Sequence, residues 1–351
     1  MRGKLYLAAL LGFSAAASIP QQRNTVSAKI ETTVTPEEVD LMDLYASYSA
    51  SAICNHGAAI GDLVTCEKNC ERVEEDGAII VGSYIGEKTK FAAYIALVES
   101  RKQIIFVGRS SVNIENWATN VNTTLVESGI VKGGMFHGGF SAAWHEISHD
   151  VLATLKEQKS KHRDYDIIVT GASLGGAVAT VAAAHIRAAE YKADLYTYGA
   201  PRVSNDVLAD FITRQPGKLY RVTHGQDPVP RVPGRGVYIT DSMKYRHVSP
   251  EYYLQGEPAD PNRWPIEDIK VCKGNQNDDC ISDPSNPEDW DIGSNDNDHQ
   301  NYFGSLDCGK LKMKPEGPGD GRENTLEAFG YIWGELAKPS LDEPLRWVGS
   351  G

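Results

Sequence analysis

The stretch "IIVTGASLGGAVAT" (167–180) places a serine between glycines, where a β-branched run gives way to an alanine-rich segment. Gly171-Ala172-Ser173-Leu174-Gly175 fits G-x-S-x-G, a sharp strand-to-helix turn that thrusts a hydroxyl out above the edge of a sheet. Small residues two positions to either side let strand and helix approach without a clash. The helix that begins at Leu174 aims its first amides and its dipole at the same spot, where a developing oxyanion needs donors. The chemistry implied is nucleophilic acyl transfer. The pattern alone is weak and a Gly-rich turn would also satisfy it; the strand–turn–helix context is what favours the nucleophile.

A serine hydroxyl needs a base to take its proton and an acid to orient that base. After this kind of turn the chain order is serine, acid, histidine. Acids near downstream strand ends are Asp206, Asp227 and Asp241, and the downstream histidines are His224, His247 and His299. Asp227 directly follows the strand "KLYRV" and is backed by prolines, whereas Asp206 reads as part of a helix start. His224 is too near Asp227 in sequence to partner it easily. His247 lies beside the tyrosine-rich "SPEYYL", and His299 sits on a late loop just before the last cysteine. On chemistry alone both His247 and His299 stay open, with His299 ahead.

Positioning these groups falls to an alternation of strands and helices. "TVTPEEVDLMDLYASYSASAIC" opens a helix with Thr35 as N-cap, Pro36 in the first turn and Glu38 closing a capping box. Leu41, Leu44, Tyr48 and Ala52 then recur at helical spacing. Strands are expected at 77–86, 90–98, 102–108, 166–170, 193–201 and 218–225, and helices at 141–160 and 175–190. This order predicts a mainly parallel sheet covered on both faces. From Gln255 the texture turns loop-rich, with many Asp, Asn, Ser and Pro residues. "GKLKMKPEGPGDGREN" reads as a linker, and 325–338 as a short terminal helix.

The chain's 351 residues fit one large α/β domain or two smaller ones, and composition does not choose. Residues 1–18 carry Arg2 and Lys4, an apolar core from Leu5 to Phe13 and a small-residue run, the order of a secretory signal peptide. That core is too short to span a membrane, and no later segment reaches spanning length. Residues 19–34 read as a leader or propeptide-like segment. The formal charge is −12, or −14 once Arg2 and Lys4 are removed (−12 minus 2), which disfavours nucleic acid as a partner. Six cysteines in an exported chain suggest three disulfides, out of 15 possible pairings. Cys66 with Cys70 and Cys272 with Cys280 are close enough for small loops, which leaves Cys54 with Cys308. Zinc is disfavoured because no histidine lies at ligand spacing from these cysteines. Asn122-Thr123-Thr124 is a glycosylation sequon.

"VTGASLGGAVAT", "YTYGAPRVSN", "RVTHGQDPVPRVP", "YRHVSPEYY" and "DHQNYFG", with "HGGFSAAWHEI" (137–147), occur in an order that resembles the fungal class 3 secreted triacylglycerol lipases. The resemblance runs from about residue 36 to 308 and implies an α/β-hydrolase fold, α/β in class, for a domain at 35–310 followed by an extension at 311–351. It places the nucleophile on Ser173, the acid on Asp227 and the base on His299, while His247 falls on a family histidine that is not the base. It also implies the Cys54–Cys308 and Cys66–Cys70 pairs. The oxyanion donors would be the amides of Leu174 and Ser111, the latter from aligning "GRSSVNIENW" on the family's R-G-S/T turn. A helical lid would cover about 111–117, with Val112, Ile114 and Trp117 apolar and Asn122 soon after it.

Two departures stand out. Ser110 replaces the family glycine, which would strain the turn if that position needs positive φ. Ala172 replaces a family histidine outside the triad, a change expected to affect packing. The activity implied is hydrolysis of acylglycerol esters through an acyl-enzyme, by a monomer at an oil–water interface, without metal or organic cofactor. A feruloyl esterase is the nearest alternative, since Asn113, Glu115 and Asn116 make the lid mixed in polarity. A non-catalytic homologue that binds lipid or a partner is the other.

Overall fold

The computed structural model describes residues 34–111, 124–233, 244–258, 264–275, 277, 279–281 and 296–309. The signal peptide, residues 19–33, Val112, Ile114, Trp117, Asn122, Asp241 and the extension 311–351 lie outside the described residues.

Helix α1 (Pro36–Asn55) starts as its residue types dictate. The Thr35 side chain accepts from Glu38 N at 3.2 Å, and Glu38 Oε2 accepts from Thr35 N at 3.0 Å. A short α2 (Glu71–Glu75) follows. Strands β1 (Ile79–Ile85), β2 (Ala92–Val98) and β3 (Gln103–Gly108) come next, then β4 (Leu125–Glu127) and β5 (Met135–His137). The chain continues through α3 (Gly138–Lys161), β6 (Asp166–Ala172), α4 (Leu174–Ala188), β7 (Ala193–Tyr198), β8 (Ser204–Asn205) and α5 (Asp206–Arg214). It closes with β9 (Leu219–His224), β10 (Tyr245–Arg246), β11 (Glu251–Leu254), β12 (Ile269–Cys272) and α6 (Asp296–Gln300).

Among the described residues the main sheet has eight strands in the order β1-β2-β3-β6-β7-β9-β11-β12. From β3 to β11 neighbours run parallel; β2 and β12 run antiparallel to their neighbours. A smaller sheet orders β10-β8-β5-β4. Alternation along each central strand feeds two cores. Ile104, Phe106, Ile167 and Val169 face a layer with Phe140, Trp144 and the apolar side of α4. Ile105, Val107, Ile168 and Ala172 face α1 and a group of tyrosines. Tyr45, Tyr198 and Tyr220 keep their hydroxyls satisfied on Gln103, Met42 O and Glu38, so these large rings can be buried without an orphaned polar tip.

All six cysteines pair as Cys54–Cys308, Cys66–Cys70 and Cys272–Cys280. The main elements match the sequence expectations. Strands β11 and β12 and the small sheet were not expected, and the reason is visible in β11. Glu251, 2% exposed, opens the strand with a charge, and its burial is offset by bonds from Arg221 (2.8 Å) and Thr223 (2.6 Å) of β9 and from Ile281 N (3.2 Å).

Candidate active site

The site forms where β6, β7 and β9 end. Ser173 follows β6 with φ 52° and ψ −124°, a backbone that a side chain adopts only under constraint, at a cost of roughly 1–3 kcal/mol. Its amide is fastened to Tyr198 O at 2.8 Å, and its carbonyl accepts from Ala177 N to start α4. The glycines do the work the sequence assigned to them. A Cβ on Gly171 would lie 2.5 Å from Gly175 C, and one on Gly175 would lie 2.2 Å from Gly108 O. Strand β3, the elbow and the first turn of α4 therefore meet backbone to backbone.

The two expected oxyanion donors lie close in the chain to either side of that contact. Leu174 is the first residue of α4, so its amide belongs to the turn whose N–H groups find no partner within the helix. Ser111 follows the segment Gly108–Arg109 that presses on Gly175, and it is half-buried. Ser110 is not among the described residues with left-handed backbone, so the strain that its replacement of glycine raised as a concern is absent at φ. Ala172 is fully buried in the tyrosine layer, a packing position.

The acid and base candidates come together. His299 Nδ1 lies 2.9 and 2.8 Å from Asp227 Oδ1 and Oδ2, which leaves Nε2 as the nitrogen available to a serine. Both residues are buried, at 2% and 0% exposure. Asp227 also accepts from Val229 N at 2.8 Å and from the Tyr302 hydroxyl at 2.5 Å. A buried carboxylate needs such donors, because an uncompensated buried charge costs several kcal/mol. Burial, reinforced by the Asp227 charge, pushes the Tyr302 phenol well above its ordinary range, so it stays a neutral donor.

Gly199 ties this pair to the serine. It follows Tyr198, the residue whose carbonyl holds the Ser173 amide. A Cβ there would lie 2.7 Å from Asp227 Oδ2, 3.0 Å from the Tyr302 hydroxyl and 3.1 Å from His299 Cε1. The imidazole edge thus sits against the strand end next to the serine. The rejected candidates are occupied elsewhere. His247 Nε2 faces Pro230 O at 2.7 Å, Asp206 takes Asn275 Nδ2 at 2.7 Å at the start of α5, and His224 faces two carbonyls. Sequence reasoning did not single out Tyr302 or Gly199. The available signals were the three-residue spacing from His299 to Tyr302 and a glycine directly after a buried strand.

The chain is similar to known proteins. The family profile described as "Lipase (class 3)" matches residues 105–237. The secreted mono- and diacylglycerol lipase 1 of Fusarium solani is 42% identical over 273 residues, covering 77% of this chain and 80% of that protein. The chain belongs to the class 3 lipase family. The secreted mono- and diacylglycerol lipase A of Penicillium cyclopium is 34% identical over 284 residues, with 79% and 88% covered. The crystal structure of the Aspergillus oryzae mono- and diacylglycerol lipase superposes with a TM-score of 0.69 at 33% identity, covering 79% of this chain and all of that one. For a class 3 lipase, the α/β-hydrolase architecture expected from the sequence is the one observed.

Proposed function

We propose that this class 3 lipase hydrolyses acylglycerol esters outside the cell and favours partial glycerides, the substrates that the names of its relatives print. Ser173 attacks the ester carbonyl while His299 Nε2 takes its proton, and Asp227 holds the imidazole and offsets its positive charge. Leu174 and Ser111 amides receive the oxyanion, each such donor being worth roughly 2.7–4 kcal/mol. His299 then returns the proton to the glyceride alcohol as it leaves. Water, deprotonated by the same ring, releases the fatty acid from Ser173. The enzyme acts as a monomer at the oil–water interface.

The observation that carries the reading is the buried Asp227–His299 pair lying against Gly199, next to the serine elbow. Secretion is supported by relatives named as secreted and by three disulfides, and no described helix is long and apolar enough to cross a membrane. The test is fatty-acid release from emulsified mono-, di- and triacylglycerol, with methyl ferulate in parallel. Mono- and diacylglycerol should be cleaved fastest, and Ser173→Ala should reduce the rate at least about 1,000-fold. Cleavage of ferulate with acylglycerols left intact, or an active Ser173→Ala enzyme, would refute the reading.

A further inference from the structure

His224 ends β9 and is 1% exposed, yet the mechanism does not use it. Its ring lies between two backbone carbonyls, with Nδ1 3.0 Å from Asp298 O and Nε2 3.2 Å from Gly256 O. A carbonyl oxygen only accepts, so a neutral ring, with one N–H, donates to one of the two carbonyls, and the tautomer with Nδ1–H holds Asp298 O. The side chains of Asp298 and Glu257 flank it, with one oxygen of each and one ring nitrogen within 4.8 Å of one another. Because both ring nitrogens already face carbonyls, the cluster works as a set of hydrogen bonds and not as a ligand set.

Asp298 completes the tie from the other side. Its Oδ2 accepts from Gln226 N at 2.6 Å, and a Cβ on Gly225 would meet that same oxygen at 2.5 Å. The His224 carbonyl accepts from Asp227 N at 3.0 Å. Asp298 immediately precedes His299 and Gln226 immediately precedes Asp227, so this bond lies one residue away from the acid–base pair on both strands of chain. Helix α6 has five residues, too few to hold its own conformation, so outside contacts must fix its position.

We propose that His224 and Asp298 clamp α6 to the turn carrying Asp227, and that both are positioning residues for the reaction. The inference rests on the assignment of His299 and Asp227 as base and acid. Without the clamp, the imidazole is held less firmly against Asp227 and drifts relative to Ser173, and a misplacement of about 1 Å costs on the order of 100-fold in rate. The chemical step suffers while binding does not.

The experiment measures kcat and KM with a soluble p-nitrophenyl butyrate for Asp298→Ala, Asp298→Asn, His224→Leu and His299→Ala, each checked for folding by circular dichroism. The low-field proton resonance of the His299–Asp227 hydrogen bond is recorded alongside. Asp298→Ala should lower kcat about 10-fold with KM within twofold, and should shift or broaden that resonance. Asp298→Asn should recover most of the rate, because its amide oxygen still accepts from Gln226 N. His224→Leu should lose about 100-fold. A folded Asp298→Ala enzyme with kcat within twofold of wild type and an unmoved resonance overturns the clamp. A His299→Ala enzyme that stays active overturns instead the assignment on which the clamp depends.

Discussion

Replacing Gly199 by alanine tests whether the proposed acid–base pair, Asp227 and His299, depends on a missing methyl group. The added Cβ would sit 2.7 Å from Asp227 Oδ2 and 3.1 Å from His299 Cε1. Relieving such contacts to ordinary van der Waals separation moves the carboxylate and the ring by roughly 0.5 Å. With about 1 Å of misplacement worth on the order of 100-fold, kcat should fall about 10-fold or more while KM stays near wild type. Gly199 also has φ +56°, so alanine adds a backbone penalty of about 1 kcal/mol, and crowding adds roughly 1–3 kcal/mol more. Gly77→Ala separates the two effects, since Gly77 has φ +65° and nothing within 4 Å of the new methyl. It should lose about 1 kcal/mol of stability and no activity. The assay pairs steady-state kinetics on a soluble ester with urea unfolding of each variant. A folded Gly199→Ala enzyme whose kcat stays within twofold of wild type would refute the reasoning.

Tyr302→Phe removes one of the donors to a fully buried carboxylate and should cost about 1–3 kcal/mol of stability, read by urea unfolding. Its kcat should fall about 10-fold as Asp227 loses a fixed contact, and an unchanged kcat would make the hydroxyl a stability element only. His185 stacks on Trp144 and Phe136, and burial, with some help from His145, pushes its pKa down to about 4. The folded value lies below the unfolded one, so the stabilisation is whole above about pH 6.5 and is lost as pH falls toward 4, up to about 3 kcal/mol. His185→Phe keeps the stack and cannot take the proton, so its Tm advantage over wild type should grow from pH 7 to pH 4; parallel Tm curves would count against this.

The sequence revealed the parts of the site that follow local rules. The elbow was legible because Gly171, Ser173 and Gly175 sit between a buried strand and a helix start, and the Thr35–Glu38 cap because its residue types are specific. Cys66–Cys70 and Cys272–Cys280 were legible from spacing alone. The choice of His299 over His247 rested on family resemblance, because what separates them is the company each keeps in space, Asp227 against Pro230 O. Strand β11 escaped because Glu251 looks like a surface residue until Arg221 is seen beside it. Gly199 and Tyr302 escaped for a related reason, since both matter through groups more than twenty residues away in the chain.

The Cys54–Cys308 bond has a consequence for the outcome of a proteolytic cut. It joins positions 254 residues apart, and Ser173, Asp227 and His299 all lie inside the ring it closes. A single nick in any surface loop between those cysteines therefore yields two fragments that remain one covalent molecule. The cut protein keeps Ser173, Asp227 and His299 within one covalent molecule, and separation of the pieces awaits a reductant.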